Sequence, residues 1–245
     1  MNSVFVAQQH LCRAPQLVLF VNHSALLASS HAHWLSLPIT WAVTAYKAAL
    51  ALIYKPDQSI RISAISGFDD RFNRLWKRIA PEAHFSIIRD QKYLSWRYGF
   101  KAEKEQTILV ADDTNGENIR GYVVLAIIPD RGINRGLILE FVVPSNEPRA
   151  VSLALAYHSC QWLISRKADK IECWLLPHDP CRRTLLRLGF LPKSSAKSLQ
   201  HNFCVLDHQS LPATSQIGNK RNWRLSIGDS DQDSLGLLAA VGEDI

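Results

Sequence analysis

Residues 141–155, FVVPSNEPRAVSLAL, place a proline-broken turn with an arginine between two apolar segments. The segment before the turn is typical of a strand, and the small and apolar residues after it favour a helix. The start of a helix has unpaired backbone N–H groups and the positive end of the helix dipole, and both attract anions. The stretch therefore has two interpretations: a cradle for a phosphate-bearing cofactor, or a loop that only joins a strand to a helix.

Two other groups of residues have metal-binding types but not metal-binding spacing. Three histidines lie within residues 23–33, but no carboxylate or cysteine accompanies them at the spacing of a zinc site. Aspartates alternate over residues 229–233 as in a calcium loop, but Ser234 and Ala240 stand where that loop needs a glycine and a glutamate. We expect no bound metal.

Hydrophobic spacing and turn residues predict the elements that must position the 141–155 loop. Strands are expected at 17–21, 60–65, 107–111, 121–128, 136–143, 171–176 and 202–207, and helices at 68–81, 89–100, 150–167 and 180–188. The three strands between 107 and 143 are separated by turns at Asn115-Gly116 and Arg131-Gly132, which predicts an antiparallel meander. Helical crossovers between the later strands add parallel pairing, so we expect an α/β fold with a mixed, mostly antiparallel sheet and helices on both faces.

Composition and charge restrict the class of protein. The formal net charge of +6 over 245 residues is spread among acids, which argues against a nucleic-acid partner. The five cysteines are odd in number and form no C-x-x-C pair, as in a protein of the reducing cytoplasm. Residues 1–10 lack the pattern of a secretory leader. The apolar stretch 35–54 contains Pro38 and Lys47, so we expect a core-facing or surface helix there and not a membrane span.

The predicted element order over residues 107–207, together with LEFVVPSNEPRAVSLAL and PHDPCRRTLLRLGF, resembles the second half of the GNAT acyltransferase fold. In that family a strand leads through a turn with a Gln or Arg, then a Gly, then a Gly or Ala, into a helix whose free amides hold the pyrophosphate of acyl-CoA. Arg149 matches the first position, Ser152 replaces the first glycine, and Ala154 matches the last. The resemblance implies acetyl-CoA or another acyl-CoA as the co-substrate.

The resemblance also implies which residues contact that cofactor. They lie at the end of the strand, across the first turns of the helix and on the later basic helix: Val142, Val143, Arg149, Ala150, Val151, Ser152, Ala154 and Arg182. For Arg182 and its arginine neighbours, a solvated basic face is the alternative to a contact with the nucleotide phosphates.

The same resemblance suggests candidate residues for two acid–base roles in catalysis. Glu140 stands near the position where GNAT enzymes often carry the base that deprotonates the acceptor, although it could instead pair with an arginine such as Arg135 or Arg149. The family's tyrosine, which protonates the departing thiolate, is replaced by Leu185. His178 or Cys181 could substitute for it, because an imidazole donates and accepts protons near neutral pH. The alternatives are a turn histidine and a half-buried thiol.

Three stretches, GFDDRFNRLWKRI, RDQKYLSWRYGF and WRLSIGDSD, together resemble GNAT-related proteins found with bacterial exopolysaccharide and cell-envelope gene sets. Such proteins are similar in layout to the two-lobed Fem-type peptidyl transferases. The layout implies a shortened first segment with an apolar helix at 1–58, a GNAT-like domain at 59–208 and a polar tail at 209–245.

The function that the resemblance implies is a bacterial, cytoplasmic, acyl-CoA-dependent N- or O-acyltransferase. Its acceptor would be a sugar or an amine in surface-polysaccharide metabolism. The alternative is a catalytically inactive GNAT-like binding or scaffold protein that serves a partner in polysaccharide assembly, since Ser152 and Leu185 both depart from the family pattern.

Overall fold

A computed structural model of the protein describes residues 7–13, 16–21, 57, 59–99, 105–130, 132–193, 200–205, 216 and 218–230. For residues 7–13, 105 and 200–205 it describes the backbone alone. The apolar stretch 35–54 and the histidines of 23–33 lie outside these residues. Within the described ranges, every helix falls short of the length and apolarity that crossing a membrane requires.

The described residues form nine strands and four α-helices. The strands are β1 (Ala7–Arg13), β2 (Gln16–Phe20), β3 (Arg61–Ile65), β4 (Glu105–Asp112), β5 (Ile119–Asp130), β6 (Ile133–Val142), β7 (Lys170–Trp174), β8 (Leu191–Pro192) and β9 (Gln200–Val205). The helices are α1 (Asp70–Ile79), α2 (Gln91–Tyr98), α3 (Arg149–Ser165) and α4 (Arg182–Arg187).

Seven of the strands form one sheet in the order β3-β4-β5-β6-β7-β2-β8. Its neighbours pair antiparallel, except that β6 and β7 are parallel. The helix α3 supplies the crossover that a parallel pair needs, because the chain must return to the same end of the sheet. The predicted mixed, mostly antiparallel sheet is confirmed.

Apolar side chains cover both faces of this sheet. The core on one face includes Leu155 and Leu163 of α3 and Leu185 of α4. The core on the other face includes Phe72 of α1 and Leu94 of α2. The prediction of helices on both faces is therefore confirmed as well.

Aspartates fix the starts of the two helices on the second face. The side chain of Asp69 accepts a hydrogen bond from the backbone N–H of Arg71 (2.9 Å), and that of Asp90 accepts one from the N–H of Tyr93 (2.7 Å). Each carboxylate satisfies a first-turn donor that has no partner within the helix. Asp90 therefore caps a helix, whereas its neighbour Arg89 forms ion pairs with Glu140 and Asp229.

Two strands take places that the linear order of elements does not reveal. β2 lies between β7 and β8 in the large sheet, so residues before 58 contribute to the same core as the later elements. β9 was expected to extend that sheet, but it pairs with β1 in a separate two-stranded sheet. The division of the chain at residues 58 and 208 stays a prediction.

Candidate active site

The parallel strands β6 and β7 part before they end. Their pairing runs from Arg135 opposite Lys170 to Ile138 opposite Cys173 and stops there, although β6 continues to Val142. In open sheets, ligands bind in the crevice at the carboxyl ends of strands that separate in this way. This edge of the sheet is therefore the candidate location of a ligand site.

A β-bulge in β6 lies where the separation begins. Val124 of β5 is opposite Glu140 and Leu125 is opposite Ile138, so Leu139 is an extra residue in the ladder. A bulge changes the alternation of side chains along a strand. As a result Leu139 and Glu140 both lie on the face that is packed by α1 and α2.

A cleft of about 400 Å³ opens at the carboxyl ends of these two strands. One wall is the loop between β6 and α3 together with the first turns of α3, and the other is the loop between β7 and α4. The residues that line it are Val143, Pro144, Ser145, Glu147, Arg149, Ser152, Pro177, His178, Asp179, Pro180, Cys181 and Arg183.

The charges around this cleft favour an anion. α3 begins after Pro148 without a side-chain cap, and the N–H of Val151 donates to the carbonyl of Pro148 (3.0 Å), so the amides of Arg149 and Ala150 are the ones left to a ligand or to water. Arg149 and Arg183 are exposed on the two walls. Two carboxylates also line the cleft. The charge of Glu147 is balanced by hydrogen bonds from Arg78 (2.6 Å) and Arg120 (2.9 Å). Asp179 accepts a hydrogen bond from the backbone N–H of Cys181 (2.8 Å), and burial raises its pKa.

The eight predicted cofactor residues fall into two groups in the structure. Three of them line the cleft: Val143, Arg149 and Ser152. The other five do not line it: Val142, Ala150, Val151, Ala154 and Arg182. Of these, Val142, Val151 and Ala154 are buried in the two cores, and Ala150 is half-buried.

Arg182 faces the end of β7 and not the cleft. Its guanidinium donates to the carbonyl of Leu175 (2.8 Å), and its neighbour Arg183 is the α4 arginine that lines the cleft. The resemblance implied a cofactor contact for Arg182, and a helix as short as α4 has no clear apolar period that would distinguish its face from that of Arg183.

Ser152, the residue in place of a glycine, has its hydroxyl engaged within the protein. The hydroxyl donates to the carbonyl of Arg149 (3.0 Å) and shares a hydrogen bond with Thr184 of α4 (2.8 Å). The residue is only 6% exposed. Its hydroxyl therefore ties α3 to α4 at the inner end of the cleft and does not project across the mouth.

Glu140 lies in a buried ion cluster that the sequence did not predict. One carboxylate oxygen accepts from Arg89 (2.9 Å), and the other accepts from the hydroxyls of Tyr98 (2.9 Å) and Ser226 (3.1 Å). Arg89 also donates to both oxygens of Asp229 (2.8 and 2.7 Å). Glu140 is 1% exposed, and burial raises its pKa although Arg89 opposes that rise.

This cluster explains why two of the resembling stretches occur together. RDQKYLSWRYGF supplies Arg89 and Tyr98, and WRLSIGDSD supplies Ser226 and Asp229. The two stretches are far apart in the chain but meet over β6. No local pattern in the sequence indicates this meeting, because it joins residues more than a hundred positions apart. Asp229, weighed above for a calcium loop, is thus paired with an arginine.

His178 is the predicted catalytic residue that has access to the cleft. It is exposed, and its Nε2 lies 3.1 Å from the carbonyl oxygen of Trp223. Since a carbonyl only accepts, this contact requires a proton on Nε2, so in the neutral ring the lone pair is on Nδ1. Cys181 is 2% exposed, and burial together with the neighbouring Asp179 raises the pKa of its thiol well above the usual range.

No protein-family model and no curated protein matches the chain. Among solved structures, a GCN5-related N-acetyltransferase from Anabaena variabilis is similar with a TM-score of 0.47 and 10% identity. That match covers 72% of this chain, which spans only 37% of the Anabaena chain.

Two further solved structures are similar over 55% of this chain. One is the GCN5-related glucosamine N-acetyltransferase region of a fungal multi-domain beta-N-acetylglucosaminidase, with a TM-score of 0.41, 16% identity and 17% of that chain covered. The other is an aminoglycoside acetyltransferase from an uncultured soil metagenomic sample, with a TM-score of 0.39, 15% identity and 88% covered. The structural neighbours are thus GCN5-related N-acetyltransferases and other acetyltransferases, but likenesses this distant carry no argument about activity.

Proposed function

We propose that the protein is an acyl-CoA-dependent N- or O-acyltransferase that uses acetyl-CoA. One observation supports this most: the cleft between the parted strands β6 and β7, which combines an uncapped helix start with two exposed arginines. A diphosphate suits such a cleft, because backbone N–H groups and guanidinium groups both donate to phosphate oxygens.

The residues of the cleft fit this cofactor. The amides at the start of α3, with Arg149 and Arg183, would hold the diphosphate, and Val143 would contact the arm that runs between the strands. Ser152 leaves the approach open, since its hydroxyl is turned to Thr184. Acetyl-CoA supplies an acyl thioester, whose carbonyl carbon is attacked by the amine or hydroxyl of the acceptor.

His178 is the group of this chain that would move a proton in that reaction. The acceptor must lose a proton and the departing thiolate must gain one. With Nε2 bound to the Trp223 carbonyl, Nδ1 is the ring atom that exchanges protons with a bound molecule. We assign the proton transfer to His178, because it lines the cleft and is exposed.

Glu140 is the second proposed catalytic residue, and its surroundings restrict when it could act. Both oxygens accept hydrogen bonds from protein groups, and the residue is closed to solvent. It could serve as a general base only after the segment around Ser226 moved away. In the arrangement described here its carboxylate anchors that segment.

The acceptor class rests on the three resembling sequence stretches. We propose a sugar or an amine of bacterial surface-polysaccharide metabolism, acylated in the cytoplasm. A small polar acceptor would enter the cleft from its open side and reach the imidazole of His178.

One observation favours the second candidate function, an inactive binding or scaffold protein for a polysaccharide-assembly partner. Leu185 of α4, where the family carries its acid, is completely buried in the core that α3 and α4 share with the sheet. A protein that kept the cleft but lost turnover would bind the cofactor and release it unchanged. The two functions therefore share the cofactor site and differ in turnover.

Calorimetric titration of acetyl-CoA tests the proposed site. Arg183→Ala should weaken binding about fivefold to tenfold, since it removes one charge-assisted contact with a phosphate. Arg187→Ala is the matched control, because Arg187 is exposed on the same helix one turn away and does not line the cleft. No heat of binding in the unaltered protein at millimolar acetyl-CoA, or equal losses in both variants, would overturn the assignment.

A further inference from the structure

The two walls of the cleft are connected to each other through a third part of the chain. Glu82, at the end of the short 3-10 turn that follows α1, accepts hydrogen bonds from the backbone N–H (2.8 Å) and the hydroxyl (3.0 Å) of Ser145. Ser145 belongs to the loop between β6 and α3. Glu82 therefore holds the first wall.

The other oxygen of Glu82 leads to the second wall. It accepts from the guanidinium of Arg224 (3.1 Å), which is only 10% exposed. The residue before Arg224 is Trp223, whose carbonyl contacts the imidazole of His178 on the opposite side of the cleft. A continuous series of contacts thus runs from Ser145 through Glu82 to His178.

Trp223 itself is fixed at three points. Its ring stacks on Phe85 with the centroids 5.0 Å apart and the planes inclined by 29°. Phe85 and Trp223 form a parallel β-bridge, in which the N–H of Phe85 donates to Asn222 (2.9 Å) and the N–H of Arg224 donates to Phe85 (3.0 Å). The stacked ring and the two backbone hydrogen bonds of its neighbours therefore hold the carbonyl of Trp223 in one position relative to the imidazole of His178.

We propose that Glu82 and Trp223 are positioning residues of the cleft, which keep its two walls at a fixed separation and hold His178 with the proton on Nε2. The catalytic part of this inference rests on the proposed function, in which Nδ1 of His178 exchanges protons with the acceptor. Holding a catalytic group in one orientation lowers the entropic cost of reaching the transition state. Trp223 and Glu82 act through His178 and the loop, and they need not touch substrate themselves.

Nitrogen-15 NMR of the histidine side chains tests the positioning role of Trp223 without any substrate. His178→Gln identifies the His178 signals by their loss. At a pH where the ring is neutral, the unaltered protein should show a single tautomer, with Nε2 protonated. Trp223→Ala should shift both ring nitrogens toward the average of the two tautomers, whereas Trp223→Phe should preserve the single tautomer, because it keeps the ring that stacks on Phe85.

Trp96→Ala is the matched control for removing a tryptophan. Trp96 is 75% exposed and stacks only loosely with Tyr93, at 5.7 Å, so its loss should leave the His178 signals unchanged. A proton on Nδ1 in the unaltered protein, or an unchanged pattern in Trp223→Ala, would overturn the proposal.

Glu82→Ala tests whether the two walls are connected. It should accelerate hydrogen exchange at the Ser145 amide and also shift the His178 ring signals toward the tautomer average. Faster exchange at Ser145 alone would refute the connection. The NMR result is independent of the proposed function. If coenzyme A failed to bind, the proposed function would be wrong, but the tautomer of His178 would still be established. If coenzyme A bound normally and the His178 ring signals did not change in the variants, only the positioning role would be wrong.

Discussion

At the scale of single residues, Glu140 has the most demanding environment in the described chain. Its charge is buried, its pKa is raised by that burial, and its partner Arg89 is equally buried. Removing one member of a buried ion pair leaves the other charge without compensation. The decrease in the free energy of unfolding when Glu140 is removed therefore measures its contribution to stability.

Glu140→Ala should lower the free energy of unfolding by about 3 kcal/mol, the order expected when a buried ion pair loses one partner. Urea denaturation at neutral pH measures it. Glu117→Ala is the control, because Glu117 is exposed in the turn between β4 and β5. If Glu140→Ala were as stable as this control, the ion cluster would contribute no stability, and the role of Glu140 as a base would become the better explanation of its position.

Residues of the cleft could be predicted from the sequence, but the buried ion cluster around Glu140 could not. The cleft is lined by three predicted residues: Arg149 and Ser152 from the loop after β6, and His178 from the loop after β7. They could be predicted because a strand, a turn and a helix that follow one another in sequence are also neighbours in space. The pairing of Arg89 with Glu140 joins residues 51 positions apart. It also depends on the bulge at Leu139, and no local propensity indicates either.

At the scale of elements, the parallel contact between β6 and β7 carries a second buried carboxylate. Glu172 of β7 accepts from Arg135 of β6 (3.0 Å) and pairs with Lys170 (3.0 Å). Burial alone would raise the pKa of Glu172, but these two cations outweigh it and lower the pKa below its ordinary value of 4.5. The folded state therefore binds the proton less readily than the unfolded state.

This lowered pKa fixes the direction of the pH dependence. The stabilisation from Glu172 is fully present above about pH 4.5, its unfolded value, and is lost as the pH falls through the lower folded value. Glu172→Gln should cost about 2 kcal/mol at pH 7 and should flatten the acid limb of stability against pH. Unfolding free energies at pH 7 and below pH 4 measure both effects. Glu117→Gln is the control, and an acid limb equally steep in Glu172→Gln would contradict the assignment.

Element types were largely predictable from the sequence. The helices at Asp70–Ile79 and Gln91–Tyr98 follow capping aspartates, and the glycines at the predicted turns, Gly116 and Gly132, have φ of 72° and 81°. Those backbone angles suit glycine because it has no Cβ. The partner of β9 was not predictable, since strand pairing is decided by contacts distant in sequence.

At the scale of the whole molecule, β2 completes the large sheet beside β7. Its pairing runs from Gln16 opposite Trp174 to Phe20 opposite Lys170, so the second of the two parted strands is supported on its outer side. The segment over Glu140, which includes Ser226 and Asp229, supports the same region from the face of α1 and α2. The two strands that lead to the cleft are thus supported by parts of the chain from near both ends of the sequence.

The predicted sheet type followed from the order of elements, but this arrangement did not. Local patterns indicate where strands and helices lie, whereas the insertion of β2 and the docking of residues 223–230 depend on which surfaces they bury. The layout implied by the resemblance left both stretches outside the domain at 59–208, and the linear sequence does not show which distant surfaces such short segments bury.

The most direct test of the central claim is a crystal structure of the protein with coenzyme A. We predict the diphosphate at the start of α3, within hydrogen-bond reach of the amides of Arg149 and Ala150, with Arg183 on its other side and the pantetheine arm between β6 and β7. Coenzyme A bound at another surface, or the cleft closed over by its own side chains in crystals grown with millimolar coenzyme, would contradict the account.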